Sequence, residues 1–198
     1  MKVMNKSVFV FKRILVSLFF LLITSQTAAA LEVAGVMVPE KVGIGESSKQ
    51  LILNGAGIRK KLFFKIYVGA LYLPGKLNKV GTILGDPGPK RITMHFLYKE
   101  VSAEKLVNGW NEGFAGNNSA EVVKSLQDQI NRFNKLFRTV KKGDVIRLDY
   151  LPDEGTQVWI NEQQMGMVEG ADFNQALLKI WLGPKPADDG LKKAWLGK

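Results

Sequence analysis

The side chain best suited to chemistry in this sequence is Arg59, which closes the stretch NGAGIR and opens KKLFFKIYVGALYLP. A guanidinium stays charged when partly desolvated and presents paired donors, so it can hold an oxyanion or a carboxylate. The same residues also fit a structural arginine, paired with a neighbouring Asp or Glu or exposed at a strand end. Other chemistry finds little support. The chain has no cysteine, which excludes thiol catalysis, disulfides and cysteine-ligated metals. His95 is the one histidine and lies in an alternating apolar run, the setting of a packed strand residue rather than of a base or metal ligand. A metal site would need oxygen ligands alone. Asp153-Glu154 and Asp188-Asp189 read as a turn and a helix start, without the spacing of a calcium loop. There is no Gly-x-Ser-x-Gly elbow, phosphate-binding loop or dinucleotide fingerprint. Neither a metal nor a cofactor is expected.

The elements that must position Arg59 come in blocks. From Val33 to Ile92 the text is strand-like, rich in Val, Ile, Phe and Tyr, with VAGVMVP, KQLILNG and IRKKLFFKIYVGALYLP as runs. RITMHFLY follows the turn-rich GDPGPK. Asn-Gly and Gly-x-Gly steps reach the positive φ of tight turns, so NGAGIR is expected to be a turn. The period then becomes helical in SAEKLVNGWNEGF, where Leu106, Trp110 and Phe114 share a face, and in AEVVKSLQDQINRFNKLFRTV, which follows a Ser119 cap. Strands return in KKGDVIRLDYLPDEGTQVWINEQQMGMVEG, with turns at Asp153-Glu154-Gly155 and Asn161-Glu162. ADFNQALLKIWLG reads as a helix stopped by Gly183 and Pro184, and DDGLKKAWLG as a short last one. Strands, helices, strands, helices in that order predict an α+β fold, a largely antiparallel sheet with helices on one face. The four tryptophans fall in helix or strand patterns and are expected in the core.

The ends and the charge bound the rest. Lys2, Lys6, Lys12 and Arg13, the apolar run ILVSLFFLLI and the small residues TAAA form a secretory signal, with cleavage expected after Ala30. The run is short of the roughly 20 apolar residues a membrane span needs, so no stable anchor is expected after cleavage. Residues 31–198 then form one exported domain, periplasmic or secreted, large enough for a real core. It carries 24 basic and 18 acidic residues, a net +6. The basic residues are scattered as pairs (Lys60/Lys61, Lys141/Lys142, Lys192/Lys193) rather than gathered in an aromatic-laced stripe, which argues against nucleic-acid binding.

LNGAGIRKKLFFKIYVGALYLP, SAEKLVNGWNEGF and ALLKIWLGPKPADDGLKKAWLG together resemble bacterial members of the chalcone isomerase-like family, over nearly all of residues 31–198. The resemblance implies an open-faced β-sandwich, a large antiparallel sheet backed by helices, with a ligand cleft between them. In members that cyclise chalcones the arginine matching Arg59 polarises the substrate. In the fatty-acid-binding branch it receives a carboxylate. The enzymatic branch adds a threonine, a tyrosine, an asparagine and a late-helix hydroxyl residue. Here those positions fall on Tyr67, Ser102, Gly109 and Ile180, with Tyr98, Asn108 and Asn111 near in sequence. The losses argue against efficient cyclisation, because binding survives them more easily than chemistry does.

A hydroxyl at Tyr67 is suited to join Arg59 on a carboxylate, but eight residues of straight strand span roughly 26 Å. The pair converges only if the chain bends between Lys60 and Lys65, where no glycine marks a bend. The expected function is a non-catalytic binder of a fatty acid or other small amphipathic carboxylate, with Arg59 and Tyr67 as ligand-binding residues. Its rivals are an intramolecular lyase of chalcone isomerase type and an envelope interaction protein. No catalytic residue is assigned.

Overall fold

The computed structural model describes residues 29–45 and 48–198. Of the expected leader only Ala29 and Ala30 fall among them. Strand β1 (Ala30–Val33) turns back through Ala34-Gly35 into β2 (Val36–Pro39). Strands β3 (Lys41–Ile44), β4 (Lys49–Lys61) and β5 (Phe64–Leu73) follow, then helix α1 (Val80–Gly85) and β6 (Lys90–Phe96). A short strand β7 (Glu100–Val101) precedes the helices α2 (Ala103–Asn117), α3 (Ala120–Ser125) and α4 (Gln127–Asn134). The chain ends with β8 (Val140–Lys141), β9 (Val145–Leu151), β10 (Gly155–Ile160), β11 (Gln163–Val168), α5 (Ala171–Leu182) and α6 (Asp189–Trp195).

Seven of these strands form one antiparallel sheet in the order β11-β10-β9-β6-β5-β4-β3. The helices cover one face, where a large core gathers Leu71, Met94, Ile146 and Val158 from the strands with Trp110, Phe114, Phe133, Phe173 and Trp181 from the helices. The opposite face of β4 and β5 carries a smaller cluster, Leu51, Leu53, Val68, Ala70 and Tyr72, which also takes in Val33, Val36 and Val38 of the β1–β2 hairpin. Alternation along β5 divides its residues between the two: Tyr67, Leu71 and Leu73 face the helices, while Val68, Ala70 and Tyr72 face away. The α+β architecture read from the element order is the one observed.

Local readings fare unevenly. Ser102 and Ser119 cap α2 and α3 through their hydroxyls, as their spacing indicated. Asn161 and Glu162, at φ 51° and 64°, make the two-residue turn between β10 and β11. The long helical stretch after Ser119 breaks at Leu126, whose ψ of 10° separates α3 from α4. Helix α1 lies amid text that reads as strand, and neither a capping side chain nor an acidic first turn marks its start.

The largest correction concerns NGAGIR, which is not a turn but the interior of β4. Asn54 occupies a bulge between Leu53 and Gly55, and neither Gly55 nor Gly57 has positive φ. The glycines are there because α6 lies directly on them. A Cβ on Gly55 would collide with the Ala194 carbonyl and sit 2.8 Å from Trp195 Cα, and one on Gly57 would come within 2.8 Å of Ala194 Cβ. Asn54 fixes the approach, donating to the Trp195 carbonyl at 2.6 Å and to the Leu77 carbonyl at 2.8 Å while accepting from Leu77 N–H at 2.7 Å.

His95, half-buried on β6, has its pKa pushed down by burial. The folded state therefore resists protonating it. Its contribution to stability is intact above the ordinary value of about 6.5 and declines as pH falls through the lowered folded value. Unfolding free energies measured across that window are expected to fall less steeply with acid in His95→Gln than in the parent.

Candidate functional site

A cleft of about 400 Å³ opens between the inner face of β4–β5–β6 and helix α2, a volume within the usual range for small-molecule sites. Arg59 and Tyr67 both line it. They meet because the run through Lys60–Lys65 is no straight strand. Leu62 and Phe63 form a tight turn, with Leu62 at φ 56°, and β5 folds back on β4 so that Arg59 and Tyr67 are cross-strand partners. The bend that the sequence left unmarked is present without glycine, and a second bulge between Arg59 and Lys60 accompanies it. The Arg59 guanidinium carbon lies 5.6 Å from the centre of the Tyr67 ring, within cation–π range.

The charge of Arg59 is not neutralised locally. Among the described residues it has no carboxylate within ion-pair distance, whereas Arg91 and Arg147 both pair with Asp149. Asp188, the nearby acidic group, is otherwise engaged: it accepts from Lys60 N–H at 3.0 Å and caps α6 through Leu191 N–H at 2.7 Å. Among the described residues, the structural reading of Arg59 as half of an ion pair finds no partner.

Tyr67 is 3% exposed. Its hydroxyl accepts a 2.8 Å hydrogen bond from the Trp181 indole on α5, which leaves its own proton available to donate. Burial raises its pKa and outweighs the opposing pull of Arg59 and of the Trp181 bond, so at neutral pH it is a phenol and serves as a donor. Tyr67→Phe would strand the buried Trp181 N–H. A loss of about 1–3 kcal/mol in denaturant unfolding is expected from an unpaired buried donor.

The positions matched to the enzymatic branch divide. Gly109 and Ile180 line the cleft but present no polar side chain to it. Ser102 is spent on the α2 cap, accepting from Lys105 N–H at 3.2 Å, and Asn111 is bonded to Asn134 at 2.8 Å. Tyr98 and Asn108 do reach the cleft, whose apolar wall comes from Ile66, Phe96, Leu106 and Ala187, while Glu100, Glu112, Lys61 and Lys105 stand at its edges. Trp110, expected in the core, is there and in the cleft wall as well. At 5% exposure, its indole N–H has no acceptor among the described residues. Its helical spacing with Leu106 marks a buried face, and nothing in the sequence distinguishes the part of that face that borders a cavity.

The arrangement offers an unpaired guanidinium beside a buried phenol donor, with further lysines at the edge of an apolar chamber. It suits an anion with an apolar body.

Comparison with known proteins agrees with this architecture. A crystal structure of an Arabidopsis thaliana fatty-acid binding protein superposes with a TM-score of 0.60 at 18% identity, covering 82% of this chain and 92% of that one. At that identity the likeness concerns the fold. A search of curated protein sequences finds no match. The family model described as chalcone isomerase-like matches residues 30–197, the whole of the sheet, the helices and the cleft between them. The chain belongs to the chalcone isomerase-like family.

Proposed function

We propose that this protein binds a small amphipathic carboxylate, a fatty acid or a molecule of similar shape, with its head group on Arg59 and Tyr67 and its apolar part against Ile66, Phe96 and Leu106. The observation that carries the reading is the unpaired guanidinium of Arg59 facing a cleft that also holds a protonated tyrosine. An arginine without a carboxylate partner, at the edge of an apolar chamber, is complementary to a carboxylate. The fatty-acid-binding activity of the Arabidopsis protein that shares the fold is a precedent in kind. The apolar or absent side chains at Gly109 and Ile180 favour binding over cyclisation, which needs groups that hold and move protons.

The reading also takes residues 1–30 as a cleaved leader, so that the binding domain works outside the cytoplasm. Sequencing the amino terminus of the protein from the exported fraction checks this, with Leu31 expected as the first residue. Organic extraction of the same material followed by mass spectrometry tests the function. A carboxylate-bearing lipid from the parent protein, missing from Arg59→Met, is the expected result. Extracts without such a molecule from both, together with turnover of a chalcone, would replace the binder by an isomerase.

A further inference from the structure

The β4–β5 hairpin ends in apolar side chains that the fold leaves in water. Leu62 is 83%, Phe63 96% and Phe64 53% exposed, whereas the other exposed large apolar residues among those described, Leu31, Met37, Val122 and Met167, stand singly. Isolated exposed apolar residues are ordinary, but three in succession at a protruding tip are not. Turns of this length normally take Asn, Asp or Gly where φ is positive, and here Leu62 holds φ 56° instead. The tip is also braced. Lys61 pairs with Phe64 across the hairpin, and the Phe64 ring meets Tyr98 edge-on at 5.4 Å.

Charge identifies the partner. Lys60, Lys61 and Lys65, all exposed, surround the tip, and the sequence has no acidic residue between Glu46 and Asp86. Among the described residues none of the three lysines is in an ion pair. An apolar tip in a collar of lysines fits the interface of a bilayer with anionic headgroups, where rings and aliphatic chains enter the acyl boundary and ammonium groups stay among the phosphates. A second copy of the chain docking tip to tip would press the same lysines against one another.

We propose that Leu62, Phe63 and Phe64 insert into the interface of an anionic bilayer while Lys60, Lys61 and Lys65 engage its headgroups. Leu62 and Phe64 also line the cleft, so docking sets the mouth beside Arg59 against the lipid, where an amphipathic ligand is exchanged without crossing water. The docking step rests on the hairpin alone and does not require the carboxylate reading.

Co-sedimentation with vesicles tests it, using the exported protein and its variants in the same processed form. The parent protein is expected to bind vesicles of phosphatidylcholine with phosphatidylglycerol and to bind pure phosphatidylcholine more weakly. The double substitution Leu62→Ser and Phe63→Ser should lower the partition coefficient at least tenfold with no fall in Tm, since both side chains are already in water. Each lysine replaced by serine should lower it about fivefold, and added salt should weaken the parent in the same way. Because the chain has no cysteine, Phe63→Cys gives a single site for an environment-sensitive dye, expected to shift to the blue on anionic vesicles and at lower lipid concentration than on pure phosphatidylcholine. Arg59→Met should lower docking by no more than one lysine replacement does and keep its dependence on Leu62 and Phe63, so docking and ligand binding are separable. Absence of vesicle binding by the parent, or equal binding by the double variant, would overturn the proposal. So would self-association that depends on the tip in a protein that ignores vesicles, which would make the hairpin an interface between copies.

Discussion

Gly55→Ala is expected to lower the unfolding free energy by about 1–3 kcal/mol, the usual range for overpacking a filled site, or to prevent folding. The reason lies in what the new methyl group would meet. The nearest atoms are backbone, the Ala194 carbonyl and Trp195 Cα, rather than the flexible end of a side chain. Helix α6 cannot retreat to make room, because the Asn54 amide holds the Trp195 carbonyl at 2.6 Å and the Trp195 indole donates to the Gly69 carbonyl at 3.0 Å. Relief would cost both bonds or the packing of Leu191 and Trp195, which are fully buried. Gly75→Ala is the control, since a Cβ there meets nothing within 4 Å, and surface changes of that kind stay within about 0.5 kcal/mol. Parallel denaturant titrations decide the matter. Equal stability of Gly55→Ala and the parent would mean that α6 does not rest on β4.

Arg59→Met is expected to weaken binding of a long-chain carboxylate by about 10- to 100-fold, the effect of losing a hydrogen-bonded charge partner in a partly dry site. The alcohol of the same chain length, which offers no charge to the guanidinium, should bind both proteins within about twofold. Arg59→Lys should fall between, keeping the charge but losing the paired donors. Titration calorimetry with palmitate and hexadecanol measures the difference directly, and the ligand-induced rise in Tm provides an independent reading by mass action. The fold should tolerate the change, because Arg59 is in no ion pair among the described residues. Equal loss of both ligands would mean that methionine closes the cleft rather than removing an anchor, and equal retention would remove Arg59 from the head-group site.

The two cases show different kinds of legibility. Arg59 stands out in the sequence because a lone guanidinium beside an apolar run is chemically conspicuous. Its lack of a partner was not legible, since whether Asp188 pairs with it depends on α6 reaching β4 from more than a hundred residues away. Tyr67 was legible as a strand residue suited to join Arg59 on a carboxylate. Its distance from Arg59 was left open, because it depends on a bend between Lys60 and Lys65, and Leu62-Phe63 supplies that bend without the glycine that would mark it. The glycines misled in the opposite direction. Gly55 and Gly57 carry the residue type of a turn, yet serve as a floor for a helix.

By itself the sequence determined the properties that depend on neighbours within a few residues. Hydrophobic period, caps at Ser102 and Ser119 and the turn residues Asn161-Glu162 set the element order and hence the α+β class. The absence of cysteine excluded thiol chemistry, and the Gly-Ala-Gly-x-Arg stretch pointed to the family. Tertiary structure alone decided where the chain reverses between Arg59 and Tyr67, why two glycines lie in mid-strand, that Trp181 occupies the acceptor side of the Tyr67 hydroxyl, and that Leu62 and Phe63 face water. The mid-strand glycines and the Tyr67–Trp181 bond are settled by contact between segments far apart in sequence, of which local pattern carries no record; the Leu62-Phe63 turn is local but lacks the glycine, Asn or Asp that would mark it.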